Sequence, residues 1–138
     1  MLVIRRDLIE LILEHARKDH PDEACGVVVG PAGSDCPLRF VPMENAARSA
    51  TFYEFDSAAL LRLYREMDSR GEEPIVIYHS HTATPAYPSR TDISYASEPN
   101  AHYVLVTTRE REPEADDAEV RSFRIRDGIV SEEQVRIV

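Results

Sequence analysis

The sequence predicts an α/β (α+β) domain built on a single mixed β-sheet flanked by helices, and three observations carry that expectation. Two segments, 8–16 and 60–67, place apolar residues at the spacing of amphipathic helices. Three others, 24–29, 75–78 and 102–107, are short, mostly apolar runs bounded by turn or polar residues, as strands buried on both faces tend to be. Helical and strand segments interleave along 138 residues, the length of one domain spanning 1–138. Such a chain buries about two-thirds of its unfolded surface, but it is too short for a (β/α)₈ barrel of about 250 residues.

Taken in order, a short apolar run at 2–4 precedes the first helix, whose Leu8, Ile9, Leu11, Ile12 and Ala16 follow the i, i+3, i+4 rule. Asp7 with Glu10 makes a capping pair at its start, and Pro21 stops it. Residues 24–29 form a buried strand closed by Gly30-Pro31, with 38–43 as its hairpin partner. Residues 51–55 alternate with aromatics and read as extended. Asp56 or Ser57 caps a second helix with Leu60, Leu63, Tyr64 and Met67 on its apolar face and Gly71 as its stop. Pro74 opens the next buried strand, which runs into His79-Ser80-His81. A proline-punctuated loop leads to a short helix at 89–97, ended by Pro99. Strands follow at 102–107, 120–125 and 129–137, the last two more polar.

Composition narrows the function. Against 25 Asp and Glu stand 16 Lys and Arg, a net charge of −9 that repels phosphate backbones and argues against nucleic acid. Lys18 is the single lysine, a skew that fits a GC-rich genome. No apolar run approaches the ~20 residues of a membrane span, no basic amphipathic stretch suggests a membrane surface, and the start carries no signal-peptide core. Cys25 and Cys36 are too few for a disulfide scaffold, so the expected compartment is the reducing cytoplasm. Residues 109–119 hold six acids against two arginines, the composition of a solvated hairpin loop or, alternatively, of a docking surface for a basic partner.

The chemistry gathers around His79. Two histidines at i and i+2 leaving a strand point to the same side, and neutral imidazoles are good zinc ligands. Asp92, eleven residues after His81, is a third candidate, and three protein ligands with one open position suit a catalytic zinc. A bare His-x-His pair is weak evidence, because strand-end histidines often only bond a neighbour. Ser89 stands three residues before Asp92, the spacing of a capping box that would start a helix beside the histidines. Glu23 lies at the mouth of a buried strand, where acids are usually solvated turn residues. It becomes a base for hydrolytic water only if its strand lies beside the one bearing His79.

Glu23, then His79-Ser80-His81, seven residues, Ser89, two residues and Asp92 together resemble the pattern of the JAMM (MPN+) zinc metallopeptidases: an upstream Glu followed by H-S/T-H-x7-S-x2-D. The E-x-C-G turn at 23–26 and the apolar strand before His79 are similar too, so the resemblance covers essentially the whole chain. It implies a cytidine-deaminase-like fold, with His79, His81 and Asp92 ligating one Zn2+ per chain, Glu23 as general acid/base, and Ser89 stabilising an oxyanion. It implies as partner the tail of a ubiquitin-like protein. The phrases 79–83 and 86–92 look like the Mec-type peptidases, which release cysteine from the C-terminus of a ubiquitin-fold sulfur-carrier protein during cysteine biosynthesis. A general isopeptidase for other ubiquitin-fold tails is the alternative, and an inactive MPN-type scaffold the non-enzyme alternative; a homodimer is allowed for. A zinc nucleotide deaminase would want H-x-E and P-C-x-x-C, absent here. One departure is Thr82 where many members have Pro, which bears on the loop over the cleft. Of the other residues, His15 and His20 are expected at the surface, His102 as a satisfied structural histidine, Cys25 packed and Cys36 in a loop. Arg48 and Arg90 are the cations placed to meet substrate carboxylates.

Overall fold

Strands without a polar face need cover on both sides, and the arrangement supplies it. The computed structural model describes residues 1–110 and 118–138. Its elements are β1 (Leu2–Ile4), α1 (Arg6–Asp19), β2 (Cys25–Pro31), β3 (Arg39–Met43), α2 (Ser57–Arg70), β4 (Glu72–His81), α3 (Arg90–Tyr95), β5 (His102–Thr107), β6 (Val120–Arg126), β7 (Ile129–Glu133) and β8 (Val135–Ile137). Six strands form one mixed sheet in the order β3-β2-β4-β5-β6-β7. Its β4–β5 pair is parallel and the other pairs are antiparallel. The mixed sheet flanked by helices is the expected fold class.

Alternation along the strands sorts side chains between two cores. On one face, Val28, Val76, Tyr78, Val104 and Val106 pack with Leu8, Ile9, Ile12 and Ala16 of α1. On the other, Cys25, Val27 and Val29 meet Leu63 and Met67 of α2, while Ile77, Tyr103 and Leu105 meet Phe123, with Ile93 of α3 against them. Gly26 is required by close approach: an added Cβ would lie 2.3 Å from the Tyr78 hydroxyl. Asp56 caps α2 by accepting from the Ala59 N–H at 2.9 Å, and Gly71 ends it with φ 65°.

Several local expectations are corrected. Asp7 does not cap α1, because the Arg5 guanidinium takes its carboxylate at 3.0 and 3.2 Å. Leu11 and Tyr64 lie at the exposed edges of their apolar faces. Residues 129–137 form two strands rather than one: after Gln134, which accepts from the Leu2 N–H, β8 leaves the sheet and pairs in parallel with β1. β4 begins two residues before Pro74; the proline lacks an N–H, and the register against β2 slips between Val28 and Val29. Segment 51–55 contributes only a bridge between Asn45 and Phe55. The third helix stops at Tyr95, with Ala96 already extended. Most of the acidic stretch lies outside the described residues; its ends are joined by an Arg109–Glu119 ion pair at 2.9 Å.

Candidate active site

The sequence left open whether Glu23 neighbours the histidine strand, and the register answers this. β2 runs antiparallel to β4 with Cys25 opposite His79. The ladder continues through Ala24 and Ser80, joined by Ser80 N–H to Ala24 O at 3.0 Å and Ala24 N–H to Ser80 Oγ at 2.8 Å. One more step sets Glu23 opposite His81. Period 2 then puts Glu23, Cys25, His79 and His81 on one face.

His79 and His81, both buried, turn their Nε2 atoms toward each other at 3.3 Å. Oδ2 of Asp92 lies 3.1 Å from each. The α3 terminus aims that carboxylate: the Ser89 N–H donates to Asp92 Oδ2 at 2.8 Å, and the Asp92 N–H donates to Ser89 Oγ at 3.1 Å, a complete capping box. Ser89 thus sits beside the cluster, its hydroxyl hydrogen unused by these bonds. Ligand atoms of Glu23, His79 and His81 all lie within 4.8 Å of one another. All five sequence-expected residues are therefore brought together.

Electrostatics at this point favours a cation. The His81 Nδ1 faces the Pro85 carbonyl oxygen at 2.8 Å. A carbonyl only accepts, so Nδ1 carries hydrogen and the neutral ring's Nε2 has its lone pair turned inward. That lone pair meets a carboxylate oxygen and a second imidazole nitrogen. The separations of 3.1–3.3 Å match the edge, about 3.3 Å, of a tetrahedron with zinc-like bonds of about 2.0–2.1 Å. The donor set fits a metal site. Burial pushes His79 below its usual value, and its Nδ1 has no partner among the described residues. Burial pulls upward on Asp92, yet the two facing imidazoles, with the Ser89 N–H, hold its carboxyl well below the usual carboxylate range.

Glu23 differs from these three. It is 4% exposed, and its Oε1 has no hydrogen-bond partner among the described residues. Burial pushes its carboxyl up to about 7, and a carboxyl so poised exchanges protons readily near neutral pH.

Three supporting residues were not singled out from sequence. Ser80, between the histidines, fastens the start of β2 beside Glu23. Tyr53 stacks on the His79 ring at 4.5 Å. Buried Asn45 donates to the carbonyls of Glu23 and Phe52 and accepts from the N–H groups of Ala47 and Glu54. The small polar residue in the H-S-H motif and the lone Asn in a polar loop were the available signals. Thr82, the departure from the family pattern, donates to the Ala50 carbonyl at 2.9 Å and ties the histidine strand to the same loop. An open cavity of about 450 Å³ walled by Phe52, Tyr53, Phe55, Leu60 and Tyr95 leads up to Asp92.

Among the residues expected to be unremarkable, Cys25 is buried and its thiol pushed up to about 12 by that burial, which leaves it inert as a nucleophile. Cys36 is exposed. His15 is not a surface residue: it is half-buried, bonded to the Tyr78 hydroxyl at 2.7 Å and to Asp19 at 3.1 Å. No helix among the described residues is long and apolar enough to cross a membrane.

Comparison with known proteins agrees with this geometry. Residues 5–126 match the family model described as prokaryotic homologs of the JAB domain. The chain is 58% identical over 138 residues to a CysO-cysteine peptidase of Mycobacterium tuberculosis, covering all of this chain and 92% of that protein. It is 32% identical over 109 residues to a desampylase of Haloferax volcanii, covering 75% of this chain and 78% of the other. A JAB1/MPN domain protein from Archaeoglobus fulgidus superposes with a TM-score of 0.61 at 21% identity, over 100% and 99% of the two chains. By its sequence match, the chain belongs to the family of prokaryotic homologs of the JAB domain.

Proposed function

We propose that residues 1–138 act as one zinc peptidase domain that hydrolyses the amide bond joining a terminal cysteine to a ubiquitin-like sulfur-carrier protein. The observation that carries this reading is the triangle of His79, His81 and Asp92 donor atoms, with Glu23 beside it just before β2, its Oε1 without a hydrogen-bond partner among the described residues. The 58% identity to a protein named CysO-cysteine peptidase supports the substrate.

In this reading His79, His81 and Asp92 hold one zinc ion per chain. When bound, zinc supplies Lewis-acid polarisation of the scissile carbonyl and acidifies a water toward pKa ~7. Glu23 takes a proton from the attacking water and delivers it to the leaving nitrogen. The water's oxygen joins the acyl carbon, the C–N bond breaks, and a carboxylic acid and an amine result. Ser89 donates its free hydroxyl hydrogen to the oxygen on which charge develops. The aromatic cavity beside Asp92 receives the carrier's tail, and Thr82 and Asn45 hold its wall in place.

Mass spectrometry tests the substrate. A carrier extended by a C-terminal cysteine loses the mass of one cysteine residue on incubation with zinc-loaded protein. An intact carrier beside a cleaved lysine-linked ubiquitin-like conjugate would instead favour the general isopeptidase, the activity class of the Haloferax relative's name.

A further inference from the structure

A second cavity, of about 350 Å³, is walled in part by Glu23, shares no lining residue with the aromatic one, and differs from it in chemistry. Lys18, Asp22, Glu23, Glu44 and Arg48 are among its walls. Glu23 thus belongs both to this cavity's wall and to the group whose ligand atoms lie within 4.8 Å of one another with His79 and His81.

The loop bearing Arg48 is fastened to Glu23. The Glu23 N–H donates to the Ser49 carbonyl at 2.8 Å, and Asn45 Nδ2 donates to the Glu23 carbonyl at 3.0 Å. Between these two anchors Arg48 holds φ at 46°, a left-handed conformation that glycine or asparagine adopts more easily. A long cationic side chain is kept where the backbone disfavours one. Its side chain is 80% exposed, with only a loose 3.6 Å contact to Glu44, itself 69% exposed. Such a surface pair is worth little and gives way to a better anion. Lys18 has no ion pair among the described residues.

We propose that this cavity receives the residue on the amine side of the scissile bond, and that Arg48, assisted by Lys18, selects a single terminal residue by its free α-carboxylate. The inference rests on the peptidase reading above. In a terminal residue the carboxylate carbon is two bonds from the nitrogen that Glu23 protonates. The anion therefore falls one residue's depth beyond Glu23, within the cavity. Acids on the same walls suit the ammonium group that the nitrogen becomes, so a mixed-charge cavity matches an amino acid zwitterion. A lysine-linked conjugate or a longer C-terminal extension presents no carboxylate at that depth.

The test uses the carrier–cysteine substrate made with either a terminal carboxylate or a terminal carboxamide. Zinc-loaded wild type prefers the carboxylate by roughly 10- to 100-fold in kcat/KM, the size of one charge-assisted hydrogen bond. Arg48→Ala collapses that ratio toward one, through KM rather than kcat. Arg48→Lys keeps part of it, because the charge survives without the planar fork. A merely structural role would slow both substrates alike and would not follow charge. Equal rates on both substrates in wild type, or an undiminished ratio in Arg48→Ala, would overturn the inference. Cleavage of neither by wild type would overturn the peptidase reading, and this selection with it.

Discussion

On β4, His79 and His81 turn two imidazole nitrogens and, with Asp92, a carboxylate oxygen toward one point. On neighbouring β5, equally buried His102 faces two carboxylates of its own: Nδ1 meets Glu133 at 2.7 Å and Nε2 meets Asp35 at 2.7 Å. Arg124 adds a fixed cation 3.0 Å from that Nε2, and Ser122 and the N-terminal ammonium complete the shell of Glu133. Residue types are alike in the two clusters. In the second, a guanidinium, a hydroxyl and an ammonium already supply hydrogens and positive charge, and that charge repels a further cation. In the first, lone pairs outnumber hydrogens. The difference between a metal site and a structural ion cluster lies in that balance, not in the presence of histidine and acid.

Changes on the β4 side carry the largest expected effect. His81→Ala is expected to lower kcat/KM by roughly 10³-fold or more, while the stability of metal-free protein shifts by less than about 1 kcal/mol. Steady-state kinetics alongside chemical denaturation measures both. A large stability loss with activity per folded molecule preserved would assign His81 to structure instead.

His102→Ala should do the reverse. Leaving Glu133 and Asp35 without their shared partner costs about 3 kcal/mol, toward the low end for a broken buried pair because Ser122, Arg124 and the N-terminus stay with Glu133. Turnover per folded molecule stays at the wild-type level. A fall in turnover with unchanged denaturation would mean that the β5 cluster reaches the chemistry.

A subtler effect follows from Glu133. Burial raises its pKa, but hydrogen bonds from His102 and Ser122 and the nearby positive charges outweigh this and leave the carboxyl below its ordinary value. A depressed carboxylate stabilises the fold above its unfolded value near 4.5 and loses that contribution as pH falls through the folded value. Stability should therefore decline on acidification below about pH 4.5, and less steeply in Glu133→Gln. Parallel acid limbs in the two proteins would remove Glu133 from the cluster's account.

Legibility in the sequence followed the range of the interaction. His79, His81, Ser89 and Asp92 lie within fourteen residues. Their strand-end alternation and capping box are local geometry, so spacing made them candidates and the family pattern joined them into one site. β5 was bounded correctly because its apolar run is sharply flanked. Glu23 depended on a strand pairing between residues 25 and 79, and no local pattern reveals which strands become neighbours. The β1–β8 ribbon joins the chain's two ends and was missed for the same reason. Asp7 failed as a cap through competition, since Arg5 offers it two stronger donors. His15 was misplaced at the surface because its partner Tyr78 lies 63 residues away.

We propose that unfilled lone pairs on β4, and not the cluster on β5, hold the metal, and metal content after dialysis against zinc checks this. About one zinc per chain in wild type and in His102→Ala, and none in His81→Ala, is the predicted result. Zinc retained by His81→Ala, or lost from folded His102→Ala, would contradict it.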